Sequence, residues 1–461
     1  MLRKTYAKAV AAVSAVALLA ACGGADDGDE PTPTASQTTE DSGDAAGDDD
    51  GSTGTADDGA AGTDDGAAGT AAAGGDGEFS FGFILPETGA LAFLGPPQIE
   101  AIKLAVQDIN EAGGVLGAEV PAPVEGDEGD QATVAQASAD RILGQGVSAI
   151  IGAAASSRSL DIIDRVTGAG VMQCSGSNTA PTFTDYEDDG LYVRTAPSDA
   201  LQGPILANTI VNDGWSNVAI VAQADDYGRG LANATAEALE NAGATVALND
   251  TFDPAASEFN SVVESMLSSD ADAYVIIAFE QGVQILQGLI EQGITPADYG
   301  IYAADGMRNP DLGTLVNESD PSVLAGMKGT APASAENAEF LESLAEFAPD
   351  LGDNTQFAPQ IYDCAVTIAL AAEAAGSANA EDFKAEVANV TKDGTECTSF
   401  EECKGLLEDG EDIDYQGVSG PLDFTDAGEP GRASIEVYGF DDSGEFESIE
   451  TVESNPAEDA R

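Results

Sequence analysis

The sequence of 461 residues contains no histidine, one tryptophan, and only 16 lysine and arginine residues together. Without histidine, the chain cannot form a Ser-His-Asp triad, a Cys-His pair or a zinc site that uses histidine. An enzyme of this composition would depend on carboxylates, lysine, serine or tyrosine, and no acidic pair stands out from the general excess of acids. We therefore expect no catalytic residues, no metal site and no cofactor.

The scarcity of basic residues leaves 83 acidic residues largely unbalanced, and the formal net charge is -67. A charge of that sign and size argues against nucleic acid and anionic lipid as partners. Such acidity with so few lysines is typical of proteins from salt-rich habitats. We keep this as a hypothesis, which a melting temperature that does not rise between low and molar salt would contradict. We expect a monomer that binds a small molecule.

The N-terminus is the one place with a clear targeting pattern. Basic residues precede an uncharged apolar run over 9–21, which is typical of a secretory signal and is too short to span a bilayer comfortably. The run ends in Leu-Ala-Ala-Cys at 19–22, which resembles the bacterial lipobox, in which the cysteine is acylated and becomes the new N-terminus. We expect a signal peptide over 1–21 and a lipid on Cys22. The alternative is an ordinary signal peptide cut near a cysteine.

Residues 22–77 consist mainly of aspartate, glycine, alanine, threonine and serine. Such a segment cannot bury enough apolar surface to offset its chain entropy, so we expect it to be disordered. It would act as an acidic tether that holds a folded part at the outer face of the cell membrane.

The part from residue 78 onward has alternating strand and helix patterns in two series, enough for two domains. The first series predicts strands at 79–85, 147–151 and 171–175 and helices at 98–111, 133–144 and 160–167. The second series follows Pro197 and predicts strands at 218–221, 245–249, 273–279 and 299–303 and helices at 230–241, 259–268 and 283–292. Two open α/β units imply a cleft between them, with the ligand outside the carboxyl ends of the strands.

Several polar side chains follow these predicted strands. Ser156 and Ser157 stand between a strand and a helix, where hydroxyls and free N–H groups can hold a carboxylate, and Ser177 and Thr179 follow the next strand in the same way. Asp305 comes just after another strand and could face an ammonium. The alternatives are that the hydroxyls are helix caps or turn residues, and that the aspartate is an ordinary solvated acid.

Six segments together resemble, in family order, the periplasmic binding proteins for leucine, isoleucine and valine. They are LPETGALAFLGPPQIEAIKLAVQDINEAGGVLG at 85–117, IIGAAASS at 150–157, SGSNTAP at 175–181, DDYGRGLA at 225–232, AADG at 303–306 and PQIYDCAVTIALA at 359–371. The resemblance implies a type I periplasmic binding protein fold, with two doubly wound α/β lobes, three hinge crossovers and a ligand cleft that closes on binding. It also implies the substrate-binding component of an ABC importer, with permease subunits as partners of the closed form.

The resemblance also implies boundaries for the two lobes. We expect lobe 1 at 78–196 and 333–420, and lobe 2 at 197–332 and 421–461. The hinges would then lie near Pro197, Pro332 and Pro421.

The resemblance assigns roles to residues of the site. The family's carboxylate contacts match Ser156, Ser177 and Thr179, and the acid that binds its ligand's amino group matches Asp305. Tyr227 and Phe279 match aromatic residues of the family's site, although either could instead belong to the core. Near Leu94, relatives with a leucine pocket often carry a tyrosine, and this difference leaves the side chain of the bound amino acid undetermined.

Cysteine is scarce, and four residues remain after Cys22. An even number in an oxidising compartment favours disulfides. Cys397 and Cys403 bracket a short loop and are the first expected pair. Cys174 and Cys364 fall in the same expected lobe, where they form either a second pair or two buried free thiols.

Three other functions remain open from the sequence. A sensor for a membrane receptor would need only the same fold and the same closure. A binding protein for an amide or urea-type solute would leave Asp305 without a cation to bind. A surface protein that uses the fold as a spacer would bind no ligand.

Overall fold

The computed structural model describes residues 78–333, 337–352 and 354–454. The predicted signal peptide, Cys22 and the tether over 22–77 lie outside the described residues, so those three expectations remain predictions. None of the helices in the described ranges is both long and apolar enough to cross a membrane.

The chain first builds a four-stranded parallel sheet with helices on both of its faces. Its elements are β1 (Phe81–Ile84), α1 (Gly95–Glu111), α2 (Ala132–Leu143), β2 (Ala149–Gly152), α3 (Ser156–Thr167), β3 (Met172–Ser175) and β4 (Tyr192–Arg194). The strands lie in the sheet in the order of the chain. Every residue of these strands is buried, as expected of a sheet covered on both faces. We call this part the first lobe.

The chain then builds a second lobe around another mostly parallel sheet. Its elements are α4 (Asp199–Asn212), β5 (Asn217–Gln223), α5 (Asp226–Asn241), β6 (Thr245–Phe252), α6 (Asn260–Ser268), β7 (Ala273–Ile277), α7 (Gln281–Glu291), β8 (Gly300–Ala303), α8 (Leu312–Val316) and β9 (Lys328–Pro332). The sequence did not predict α4, which contains Pro204 in its interior and buries polar residues such as Gln202. Both features weaken a helical pattern.

The remaining chain returns to the first lobe and ends in the second. The returning elements are α9 (Ala338–Phe347), α10 (Ala358–Ala375), α11 (Ala380–Phe383), α12 (Glu386–Asn389), β10 (Thr395–Cys397), α13 (Phe400–Glu408), β11 (Ile413–Gly417) and β12 (Gly420–Pro421), followed by a hairpin of β13 (Ala433–Phe440) and β14 (Phe446–Ser454). The hairpin pairs antiparallel with β9 and completes a seven-stranded sheet in the order β14-β13-β9-β8-β7-β5-β6. The expected C-terminal hairpin of the second lobe is therefore present.

The chain stays in the first lobe beyond the expected crossing at Pro421. Pro421 pairs with Gln416 in the small sheet of β10, β11 and β12. Leu422 and Phe424 are both 1% exposed and belong to the core of the first lobe. The third crossing therefore lies between Phe424 and the start of β13, because these two apolar side chains hold the chain against the first lobe.

All four described cysteines lie in the first lobe. The sulfur atoms of Cys174 and Cys364 are 2.01 Å apart, and those of Cys397 and Cys403 are 2.05 Å apart. The first pair joins β3 to α10 and therefore links the two separate chain segments of this lobe.

Candidate functional site

The cleft between the lobes contains a small cavity at the carboxyl ends of the strands, where ligands of open α/β sheets bind. Its volume is about 20 Å³ when open solvent is left out. We call it the inner cavity, and residues of both lobes line it. The lining residues are Leu91, Leu94, Ala154, Ala155, Ser156, Ser177 and Phe357 from the first lobe and Tyr227, Phe279, Asp305 and Gly306 from the second.

The wall from the first lobe presents a helix N-terminus. Ser156 is the first residue of α3 and is 3% exposed. The N–H groups of Ser156 and Ser157 have no acceptor within the helix, because the first turn of an α-helix leaves its donors free. The hydroxyl of Ser156 accepts the N–H of Ala180 at 3.3 Å, so its own proton remains available. This wall can donate several hydrogen bonds to an anion.

Ser177 lies beside this wall but presents different chemistry. Its hydroxyl lies 3.1 Å from the carbonyl oxygen of Ala154 and 3.2 Å from Oε1 of Gln98, and both of these atoms are acceptors. The hydroxyl proton is therefore used inside the protein. What Ser177 offers to a ligand is its lone pairs, which suit an ammonium better than the carboxylate that the sequence assigned to it.

Two of the predicted residues do not line the inner cavity. Ser157 faces a larger space farther out in the cleft. Thr179 is 1% exposed, and its carbonyl accepts the N–H of Asp199 at 2.8 Å. Its hydroxyl lies close to the carboxylate of Asp199. Thr179 therefore lies behind the cavity wall, next to the first crossing between the lobes.

The wall from the second lobe is centred on Asp305, which is 4% exposed. Its Oδ1 accepts hydrogen bonds from Nε2 of Gln202 and from the hydroxyl of Tyr227, both at 2.9 Å. The Tyr227 hydroxyl in turn accepts the N–H of Gly306 at 3.1 Å. Burial raises the pKa of Asp305 to about 6, against the lowering effect of these hydrogen bonds. The result is a fixed, buried carboxylate that can receive a cation.

Phe279, which the sequence left between core and site, belongs to the cavity. Its ring stacks on that of Tyr227, with centroids 5.4 Å apart. It also packs against Leu91, Leu94 and Phe357 of the first lobe. This apolar cluster joins the two lobes directly across the cleft.

Two buried acids near the cavity were not identified from the sequence. Asp199 is fully buried, and its carboxylate lies close to the hydroxyl of Thr179. Burial, and then the charge of Asp305, raises the pKa of Asp199 well above its ordinary value. Glu128 is 1% exposed and accepts the N–H groups of Ala154 at 2.5 Å and Ala155 at 3.2 Å. Burial raises the pKa of Glu128 to about 8. Nothing in the sequence separates either residue from the other acids.

A second space, which we call the outer chamber, adjoins the inner cavity toward solvent. Its volume is about 390 Å³ when open solvent is left out, and Leu91, Ala155 and Phe279 line both spaces. Many of its lining residues are polar: Thr88, Glu128, Asp130, Gln131, Ser157 and Arg158 from the first lobe, and Gln223, Asp225, Asp253 and Gln281 from the second.

Comparison with known proteins gives consistent matches over the described residues. The model of the family described as periplasmic binding protein matches residues 78–427. The Leu/Ile/Val-binding protein BraC3 of Rhizobium johnstonii is 26% identical over 322 residues, which are 69% of this chain and 84% of that protein.

Solved structures extend the match to the whole fold. The leucine binding protein LivK from Thermotoga maritima matches with a TM-score of 0.68 and 23% identity, over 82% of this chain and 99% of that chain. A solute binding protein of an ABC transporter from Rhodopseudomonas palustris, in complex with p-hydroxybenzoic acid, matches with a TM-score of 0.67 and 18% identity, over 82% and 98%. Proteins of this fold thus hold different ligands, and the fold alone does not identify the ligand.

Proposed function

This chain belongs to the periplasmic binding protein family, a family of extracytoplasmic solute-binding proteins and not of enzymes, and we propose that it is the lipid-anchored substrate-binding component of an ABC importer for an amino acid, branched-chain or related. One observation carries the ligand assignment: the inner cavity places the N-terminus of α3 and the hydroxyl of Ser156 in one wall and the buried carboxylate of Asp305 in the other.

The head group of an α-amino acid complements the chemistry of this pair of walls. Its carboxylate would lie against the hydroxyl of Ser156 and the backbone N–H groups of Ser156 and Ser157, at the positive end of the helix dipole. Its ammonium would lie between Asp305 and the lone pairs of Ser177. Both charges are then compensated once water is excluded, which is the condition for burying them. Tyr227 and Phe279 would cover the group from the second lobe.

Closure follows from the same arrangement. Since the anion contacts belong to one lobe and the cation contact to the other, only a closed cleft satisfies both ends of a zwitterion. The contacts between the lobes support this: Phe279 packs on the first lobe, and Nε2 of Gln356 donates to the carbonyl oxygen of Asp305 at 2.9 Å. Permease subunits that bind only the closed form would then recognise the loaded protein.

We further propose a lipid anchor on Cys22 and two disulfides. Acylation of Cys22 after removal of residues 1–21 would tie the protein to the membrane through the tether over 22–77. The oxidising environment outside the cytoplasm would keep Cys174 joined to Cys364 and Cys397 joined to Cys403. Metabolic labelling with a fatty acid tests the anchor, and the Cys22→Ser variant should lose the label and leave the membrane fraction.

The ligand assignment is tested with analogues that each lack one charge. Isothermal titration calorimetry would compare L-leucine with L-leucinamide, which has no carboxylate, and with 4-methylpentanoate, which has no ammonium. We expect both analogues to bind at least about a hundredfold more weakly than leucine. Leucinamide leaves the buried donors of the first lobe without a carboxylate, and 4-methylpentanoate leaves the buried Asp305 without an ammonium. Equal affinity for 4-methylpentanoate and leucine would show that Asp305 does not bind an ammonium and would contradict the proposal.

A further inference from the structure

We infer that the outer chamber binds a positively charged nitrogen group on the ligand's side chain, so that, of the amino acids the proposed function allows, the ligand is a basic one and not a branched-chain one. This inference rests on the proposed function, which puts the ligand's carboxylate and ammonium in the inner cavity. A side chain leaving that cavity past Leu91, Ala155 and Phe279 enters the outer chamber, since these three residues line both spaces.

The charge of the chamber favours a cation. Three aspartates, Asp130, Asp225 and Asp253, line it beside a single basic residue, Arg158. The guanidinium of Arg158 lies 2.9 Å from the carboxylate of Asp161 and donates to the carbonyl oxygen of Asp130 at 2.8 Å, so its charge is already balanced. Glu128 is not needed for this argument, because both of its carboxyl oxygens already accept backbone N–H groups, from Ala154 and Ala155.

The carboxylates are held in place by the backbone. Oδ1 of Asp130 accepts the N–H of Ala90 at 2.8 Å, and Oδ1 of Asp253 accepts the N–H of Ala255 at 2.9 Å. One of these residues comes from each lobe. Closure of the cleft thus places acids of both lobes around the same chamber.

Two glutamines give an independent indication. Nε2 of Gln223 donates to Oδ2 of Asp225 at 2.6 Å, and Nε2 of Gln281 donates to the carbonyl oxygen of Pro254 at 3.2 Å. These bonds fix the amide orientations, because the reverse orientation would put oxygen against oxygen. The Oε1 atom of each glutamine is then buried and has no hydrogen-bond partner in the ranges that the structure describes. The side chain of Gln223 is only 1% exposed. Both oxygens require a donor.

The other classes of side chain fit this lining less well. An aliphatic side chain has no donor for the two amide oxygens and displaces the water that solvates the aspartates. A carboxylate side chain would meet three aspartates. An ammonium or guanidinium group supplies both the donors and the charge.

Calorimetry on the full mature protein separates these classes with ligands of matched size. L-lysine and L-arginine would be compared with the uncharged L-norleucine and L-citrulline, with L-leucine and L-glutamate as further ligands. We expect lysine to bind at least about tenfold more tightly than norleucine, and arginine to exceed citrulline similarly. Norleucine or leucine binding as tightly as lysine, or glutamate binding most tightly, would overturn the inference.

A double variant tests the chamber itself. Asp130→Asn together with Asp253→Asn removes two charges, and the amide oxygens can still accept the two N–H groups. We expect affinity for lysine and arginine to fall about tenfold and affinity for norleucine to change less than twofold. The matched control is Asp298→Asn, an exposed acid that does not line the chamber, which should change neither.

Three outcomes of this experiment are distinguishable. Equal loss of affinity for lysine and norleucine in the double variant would indicate a structural effect and contradict the inference. Binding of leucine and norleucine without a preference for lysine would refute the inference alone. If no α-amino acid binds to the unmodified protein, the proposed function fails and this inference fails with it.

Discussion

The first lobe and the second lobe differ in how the chain builds them and in what they present to the cleft. The first lobe is assembled from two separate chain segments and contains all four described cysteines. The second lobe is mostly continuous, is completed by a C-terminal hairpin, and has no cysteine in its described residues. At the cleft the first lobe offers donors at the start of α3, and the second offers the acceptor Asp305. A ligand with one charge of each sign, as proposed, would therefore contact two parts of the molecule that are built differently.

The largest expected effect concerns the cross-link within the first lobe. Cys174 and Cys364 are 190 residues apart, whereas Cys397 and Cys403 are 6 apart. In the chain-entropy account, closing the longer loop contributes about 5 kcal/mol to the free energy of unfolding and closing the shorter one about 2 kcal/mol. Replacing both cysteines of the long pair by alanine should therefore lower the urea midpoint more than replacing both of the short pair.

The short pair is a matched control for that measurement. All four sulfur-bearing side chains are buried, with exposed fractions of 0 to 1%, so the cost of truncating them should be similar. If loss of the short pair destabilised the protein as much as loss of the long pair, loop closure would not explain the contribution of the longer cross-link.

The second prediction concerns the acceptor of the second lobe. Asp305→Ala removes the only proposed charge partner of the ligand's ammonium and leaves that ammonium buried against an uncharged wall. Truncating one partner of a buried charge pair costs about 2–5 kcal/mol, so we expect the Kd of the bound amino acid to rise at least about thirtyfold in calorimetry. If the variant bound its ligand as tightly as the unmodified protein, Asp305 would not be a ligand-binding residue.

The third prediction uses the pKa of the same residue. Because the pKa of Asp305 is raised to about 6, its carboxyl group is protonated below that pH and must lose the proton to bind an ammonium. The Kd should therefore rise about tenfold for each pH unit below 6 and should be nearly constant between 6.5 and 7.5. The Asp305→Asn variant should bind weakly at every pH, without this slope. A wild-type profile that is flat from pH 4 to 7 would contradict the assignment.

The smallest predicted effect concerns the donors of the first lobe. Ser156→Ala removes one hydroxyl donor and leaves the N–H groups of α3 in place, so the loss should be about 1.5 kcal/mol, or roughly tenfold in Kd. Ser261→Ala is the control, because this exposed serine lines neither the inner cavity nor the outer chamber. Equal losses in the two variants would show that the hydroxyl of Ser156 has no special role.

Much of the secondary structure of both lobes was predicted from the sequence. The strands and helices of both series appear close to their predicted positions, since apolar periodicity reports burial on a sheet. The polar residues after β2, β3 and β8 were correctly placed at the carboxyl ends of strands. The helix α4 was missed because its proline and its buried polar residues obscure the apolar stripe.

Other features of the site could not be derived from the order of residues. Glu128 and Asp199 are two acids among 83, and only the packing of the lobes makes them buried. The chemistry of Ser177 depends on the two acceptors that surround its hydroxyl, one of them from a residue far away in the sequence. Such contacts are set by tertiary neighbours and leave no local pattern.

The sequence by itself determined the α/β alternation, the family resemblance and the positions at which polar groups follow strands, because these depend on local periodicity and short motifs. Only the tertiary structure decided where the chain makes its third crossing, which acids are buried and which acceptors lack a partner. Burial and hydrogen-bond pairing are properties of two lobes meeting at a cleft, and they arise only when distant segments of the chain are brought together.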